Sequence, residues 1–330
     1  MFGQLSLKQL YLKSSCNMSK IITVTLNPAV DRELSVEAIE YDRVLRATDW
    51  RVDFGGKGFN VSRMLKSLGA DSTALGFAGG KSGEILQAGL ESLGIRTDFV
   101  WVTGETRTNV SIVTEDLDHY IKVNEPGPTI SLPEQESLLD KVANLAQPES
   151  WWVLAGSLPP GIPSDFYFRL IRIIQKTGAK VVLDTSGDAL VHGCQAAPYL
   201  IKPNEVELKM LTNMPITDYS HLLTAALTLQ SAGIPNILIS MSKKGAFLKT
   251  EQDAYIIRSP SIQERNPIGA GDSMVGGLVW GLSQDLAIAD AARWGVACGA
   301  AAASLSGTAV GSINFVKELF TQTIIEAAIP

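Results

Sequence analysis

Cysteine and histidine are scarce: the 330-residue chain holds three of each. Cys16, Cys194 and Cys298 lie far apart, are odd in number and have no CxxC spacing, which excludes a disulfide framework and a cysteine zinc site. His119, His192 and His221 show no ligand spacing and are given no catalytic part. Basic residues are also few, 28 Lys+Arg against 34 Asp+Glu for a net charge of −6. That is the opposite of the surplus a nucleic-acid binder carries, although a few placed cations can still hold a small anion. No run of 18 uninterrupted apolar residues occurs, so no spanning helix is expected, and no signal-peptide pattern is present. A cytoplasmic protein is expected. What the chain has is 45% hydrophobic residues, enough for a sizeable core and for one large domain or two smaller ones at about 100–200 residues each.

Residues 1–17 have mixed polarity and read as an appended or mis-started, disordered extension, because Met18 stands directly before the first clear strand pattern. From Ile21 on, β-branched runs alternate with amphipathic segments. Strands are expected at Ile21–Asn27, Ser72–Ala78, Trp151–Ser157, Lys180–Thr185, Leu200–Lys202 and Asn236–Ser240. Val61, Met64, Leu65 and Leu68 follow i, i+3, i+4, i+7, and further helices are expected near 82–93, 132–146, 164–177 and 218–232. Runs such as VVLD and ILIS are apolar at successive positions, as in a parallel sheet covered on both faces. The fold class is therefore α/β, three layers α/β/α. Val44–Phe54 and Thr106–Glu125 break the rhythm with one-sided alternation and read as a small β-sheet lid, with segments at about 32–54 and 104–125.

Three motifs can carry chemistry. Phe54-Gly55-Gly56-Lys57-Gly58-Phe59-Asn60 opens a helix; its glycines admit a ligand to the backbone and the helix N-terminus favours an anion. It is neither a Walker A loop nor a GxGxxG fingerprint, and a tight turn with a solvated lysine would look the same. Gly269-Ala270-Gly271-Asp272-Ser273 enters another helix, where Asp272 is either a cap or an ionised base beside open amides. Gly276-Gly277 one turn on costs roughly 1 kcal/mol per glycine against alanine, which implies close approach by another element. In Lys202-Pro203-Asn204-Glu205-Val206-Glu207, Asn204 and Glu207 either cap a short helix or stand near Mg²⁺ through water. The alanine-rich run Ala287–Ala303 reads as tight helix packing.

Together these stretches resemble the PfkB (ribokinase-like) sugar kinase family: GGKGFN with NVSRMLKSLGA its first signature, NPIGAGDSMVGGLVWGL its second, KPNEVEL its N-x-x-E element. NPAVD, ETRTNV, GSLPPG and DTSG resemble the phosphosugar branch that holds the 1-phosphofructokinases and tagatose-6-phosphate kinases. The resemblance implies a ribokinase-like kinase domain over 18–330, using ATP and Mg²⁺ and forming a homodimer through the lid, with no nucleic-acid or membrane partner. It implies Asp272 as base, with Gly269, Ala270 and Gly271 shaping the anion hole through the Ala270 and Gly271 amides. Asp31, Gly55, Gly56, Lys57, Asn60 and Ser157 would hold the sugar, and Arg107 its existing phosphate. Lys202, Asn204, Ser240, Lys243 and Gly245 would face the nucleotide, with Glu207 and Asn204 toward magnesium. In the nucleotide loop Ser242 stands where the family commonly has glycine, and Val44, between Arg43 and Arg46, stands where it often has lysine. Fructose 1-phosphate is the preferred substrate, with tagatose 6-phosphate or fructose 6-phosphate as alternatives. A non-catalytic sugar-phosphate or nucleotide sensor, and a kinase of free ketoses or nucleosides, are the competing readings.

Overall fold

The structure, a computed structural model, describes residues 20–115 and 119–328; the expected extension at 1–17 lies outside the described residues. The chain runs β1 (Ile21–Thr25), β2 (Ala29–Val36), β3 (Asp49–Gly55), α1 (Lys57–Ser67), β4 (Thr73–Ala78), α2 (Gly80–Ser92), β5 (Arg96–Thr97) and β6 (Val100–Trp101). It continues through β7 (Arg107–Thr114), β8 (Tyr120–Asn124), α3 (Leu132–Leu145), β9 (Trp151–Ala155), α4 (Phe166–Gln175), β10 (Lys180–Asp184), α5 (Gly187–Cys194) and β11 (Leu200–Ile201). Then come α6 (Glu205–Thr212), α7 (Tyr219–Ser231), β12 (Asn236–Ser240), β13 (Ala246–Lys249) and β14 (Ala254–Arg258). The chain closes with α8 (Ala270–Ser283), α9 (Ile288–Ala303), α10 (Ile313–Gln322) and β15 (Ile324–Ala327).

The central sheet has the order β15-β14-β13-β12-β11-β10-β9-β1-β4-β5, with β6 beside β4. From β12 to β5 the pairs are parallel; β13, β14 and β15 add an antiparallel edge. Consecutive apolar residues serve opposite faces, as a doubly covered sheet demands. In β9, Trp151 and Val153 pack with Val275 and Leu278 of α8, whereas Trp152 and Leu154 pack with Leu170 and Ile174 of α4. Strand β1 pairs with β4 on one side and β9 on the other, so the order reverses there and a crevice opens beyond the strands' carboxyl ends.

Over that crevice stands a four-stranded sheet in the order β3-β2-β7-β8. The expected strand in Val44–Phe54 begins only at Asp49, where antiparallel pairing with Ser35 starts, and Ala29–Val36, expected as a motif after the first strand, is a full strand. Register sets Trp50, Leu34, Ile112 and Ile121 in one cross-strand row. Asp31, Asn109 and Asn124 lie in another row, on the opposite face by the period of two.

Helix α8 is gripped on two sides. A methyl group on Gly276 would lie 2.7 Å from Met64 Cβ of α1, and one on Gly277 2.6 Å from Cys298 Sγ of α9. The close approach expected for these glycines is therefore present. It fixes the start of α8 relative to α1.

Candidate active site

Both glycine motifs turn out to be first helical turns. Gly56 caps α1 at φ 136°, so Lys57 is the first helical residue and Asn60 the fourth. A methyl group on Gly58 would lie 2.7 Å from Thr25 Oγ1, which seats this turn on the end of β1. Gly269 caps α8 at φ 81°, which puts Asp272 in the first turn. The Ala270 amide donates to the Pro267 carbonyl at 3.2 Å. No acceptor among the described residues takes the Gly271 or Asp272 amide, and these are the open donors of the turn.

Four charges meet where the two turns face each other. Asn60 Nδ2 donates to Asp272 Oδ2 at 2.8 Å, and Lys57 Nζ lies 3.4 Å from Asp272 Oδ1. Lys57 also donates to Asp184 Oδ2 at 3.0 Å, while Lys202 Nζ sits 3.2 Å from Asp184 Oδ1. Asp184 ends β10 with its side chain 1% exposed. Sequence reasoning gave it no role, although a lone carboxylate closing the apolar run VVLD was the available signal. Burial pushes the Asp272 carboxyl above the ordinary aspartate value of 3.8, with Lys57 opposing and Asp184 reinforcing the rise. Burial also acts to raise Asp184, but Lys202 and Lys57 outweigh it and hold that carboxyl low. The Lys57 ammonium is held above its usual range, chiefly by Asp184. Arg63 donates to Asn60 Oδ1 at 3.4 Å and to Thr308 Oγ1 at 3.0 Å, which orients the Asn60 amide toward Asp272.

On the side of the small sheet, Asn109 Nδ2 donates to Asp31 Oδ1 at 2.7 Å, and burial raises the Asp31 carboxyl. A side chain on Gly55 would collide with Asp31 Oδ2, so the glycine is required there. Arg107 donates to the carbonyls of Asn27 at 2.9 Å and Glu125 at 3.0 Å, without a carboxylate within ion-pair distance among the described residues. Its Nε, Asn27 Oδ1 and Asn109 Oδ1 are buried with no hydrogen-bond partner among the described residues. Arg43 is engaged with Glu40 at 2.8 Å, and Lys122 stands opposite Ser111 on the face that carries Asp31. Ser157 is exposed just beyond β9; its neighbour Gly156, at φ 102°, lies against Lys57.

On the other side of Asp272 runs a groove of about 700 Å³, lined by Asn204, Ser240, Ser242, Lys243, Gly245, Ala270 and Gly271, with Val296, Gly299, Ala300 and Ala303 of α9. The alanine-rich helix thus forms a wall of the groove as well as packing α8. Ser242 adopts φ 50°, the left-handed conformation that explains why glycine suits this position. Lys243 Nζ lies 3.6 Å from Glu264 across the groove. Asn204 and Glu207 form a reciprocal capping box: Glu207 N donates to Asn204 Oδ1 at 2.8 Å, and Asn204 N to Glu207 Oε2 at 2.9 Å. The capping role is present, and Asn204 also lines the groove. No group of three or more His, Cys, Asp or Glu able to hold a metal occurs among the described residues. Such a donor set fits an ion that keeps its waters and takes few protein ligands.

Residues 21–314 match the pfkB family carbohydrate kinase model. The chain is 36% identical over 310 residues to the 1-phosphofructokinase of Bacillus subtilis, covering 94% of this chain and 97% of that one. It is 36% identical over 265 residues to a tagatose-6-phosphate kinase of Staphylococcus epidermidis, covering 79% and 85%. Its structure resembles that of phosphofructokinase-2 from Escherichia coli in complex with substrates and products, with TM-score 0.87 and 30% identity over 92% of this chain and 98% of that one. The chain belongs to the pfkB family of carbohydrate kinases and is a phosphotransferase with the ribokinase-like fold.

Proposed function

We propose that this member of the pfkB family is an ATP-dependent phosphosugar kinase that transfers the γ-phosphoryl of ATP to a ketohexose phosphate. Its preferred substrate is fructose 1-phosphate, phosphorylated on O6 to fructose 1,6-bisphosphate. The observation that carries this reading is the placement of Asp272: a buried carboxylate in a helix's first turn, held by Asn60 and Lys57, between the α8–α9 groove and the Asp31–Asn109–Arg107 cluster.

Asp272 accepts the proton of the attacking hydroxyl, and the open Gly271 amide, with Ala270 and Gly269 shaping the turn, receives negative charge on the phosphoryl group in flight. Phosphoryl transfer asks for positioning and charge neutralisation more than covalent help. Asp31, Gly55, Gly56, Lys57, Asn60 and Ser157 hold the sugar. Arg107, braced by two carbonyls and without a carboxylate at ion-pair distance among the described residues, takes the phosphate the substrate already bears. Lys202, Asn204, Ser240, Lys243 and Gly245 face the nucleotide. A groove of about 700 Å³ suits a ligand of that size, within the range of roughly 300–1,000 Å³ usual for small-molecule sites. Magnesium, when held through water by Glu207 and Asn204, neutralises charge on the nucleotide's phosphates. The small sheet acts as the lid that excludes water. Two copies join through its outer face, where the row Trp50–Leu34–Ile112–Ile121 lies and Trp50 is 63% exposed.

A relative named for fructose 1-phosphate chemistry and one named for tagatose 6-phosphate stand at the same 36% identity, so the likeness supports the class and leaves the sugar to assay. ADP release measured across fructose 1-phosphate, fructose 6-phosphate and tagatose 6-phosphate tests it. Fructose 1-phosphate should turn over fastest; much faster turnover of another would end that preference, and no turnover of any would end the phosphosugar reading.

A further inference from the structure

We propose that Asp184 is a positioning residue for the transfer step: by holding Lys57 on one oxygen and Lys202 on the other, it keeps Lys57 from closing onto Asp272. The inference rests on the reading of Asp272 as the base. In this structure both oxygens of Asp272 are covered, Oδ2 by Asn60 at 2.8 Å and Oδ1 by Lys57 at 3.4 Å. A substrate hydroxyl that approaches Oδ1 competes with Lys57 there, and one that approaches Oδ2 competes with Asn60. Asn60 is fixed in a helical turn and braced by Arg63, whereas Lys57 is a long side chain, 43% exposed, that already has a closer partner in Asp184 at 3.0 Å. Lys57 is therefore the group that yields, and Asp184 is where it goes.

Removing the Asp184 charge changes this balance. Lys57 would keep one carboxylate, Asp272, and the two would draw together in a site where water screens little. Lys202, 4% exposed and paired only with Asp184 among the described residues, would lose its counter-charge beside Gly271, whose added methyl would lie 3.6 Å from Lys202 Nζ. The groups that face Asp184 are Lys57 from α1, Lys202 beyond β11, Asp272 from α8 and the buried Tyr167 hydroxyl from α4. Those that face Asp272 are Lys57, Asp184, Asn60 and Lys202.

The test compares wild type, Asp184→Asn, Lys57→Met and the double variant of the full chain, using MgATP and whichever phosphosugar the wild type turns over. Asp184→Asn should lower kcat by about 10²-fold, as misplacement of a site group does, with both KM values little changed. Its kcat profile should lose activity at lower pH than wild type, since Lys57 then holds Asp272 ionised more strongly. Adding Lys57→Met to Asp184→Asn should lower kcat no further, because the two act on turnover through one contact, while the lost Lys57 contact to the sugar shows in its KM. Multiplied losses, an effect on KM alone, or an unmoved acid limb would overturn the proposal. If Asp184→Asn does not fold, Asp184→Glu replaces it: the charge stays but is displaced, kcat falls less, and multiplication with Lys57→Met again overturns it. A second readout needs no turnover. Carboxyl ¹³C NMR of the ligand-free protein should show Asp272 titrating lower in the Asp184 variant, and an unchanged midpoint refutes the contact. A wild type inactive on every phosphosugar would instead sink the phosphosugar reading and leave the NMR result to judge Asp184.

Discussion

The Asn60 amide donates to the Asp272 carboxylate at 2.8 Å across 212 residues of chain, tying the first turn of α1 to the first turn of α8. The contact exists because Gly276, one turn further along α8, lets Met64 of α1 pack without an intervening methyl group. A packing detail of two helices thus sets the position of the proposed base.

Replacing Asp272 with asparagine keeps the shape and the bond from Asn60 but removes the proton acceptor. Turnover should fall by at least ~10³, about 4 kcal/mol of transition-state stabilisation, while ATP and sugar binding by calorimetry persist. Near-normal turnover would falsify the base assignment.

The pH dependence has a definite sign. Asp272 is active when ionised, and burial raises its carboxyl, so kcat should be lost with an acid limb above 3.8. Asp184 is held below its ordinary value; its contribution to folding stability is present above 3.8 and disappears as pH falls through its lower native value. Activity should therefore fail at a higher pH than the fold does. Stopped assays alongside circular dichroism check this, and coincident loss would contradict it.

Gly276→Ala should force α1 and α8 apart, since Met64 Cβ and the Val61 carbonyl leave no room. Overpacking of this kind costs about 1–3 kcal/mol, visible as a lower Tm. If the helix spacing also sets the base, kcat should drop with KM for the sugar nearly constant.

Arg107→Ala separates a phosphosugar kinase from one for free sugars. Loss of a charged hydrogen-bonding anchor, about 1.5–3 kcal/mol, should raise the KM for the phosphosugar roughly 10- to 100-fold and leave that for ATP near its starting value. An unchanged sugar KM would favour an unphosphorylated substrate.

Val123 is 60% exposed on the outer face of the small sheet, so Val123→Glu should leave the protomer folded. Sedimentation at micromolar concentration should show a dimer for wild type and a monomer for the variant. A monomeric wild type would dispose of the dimer proposal.

Much of this was legible from residues alone. Apolar runs such as VVLD announced a sheet covered on both faces, and Trp151 and Trp152 do pack into opposite layers. The paired glycines in α8 announced a close neighbour, found as Met64 and Cys298. Less visible was Ala29–Val36, whose mixed pattern makes sense only when its partners β3 and β7 are present. The commitment of the Ala270 amide to Pro267 was likewise invisible, because a turn's hydrogen bonds depend on its dihedral angles.

Local chemistry decided which residues could act: glycines where backbone must approach, a carboxylate where a helix begins, strands apolar on both sides. Those are properties of neighbouring residues and of periodicity, and the chain carries them wherever it folds. Which charges meet was decided only in three dimensions. Lys57, Asp184, Lys202 and Asp272 come from four separate stretches of chain, and their ion pairs exist because parallel strands end at one edge where two helix starts converge. Sequence spacing has no access to that edge, since the distance between charges there is set by sheet order and helix packing.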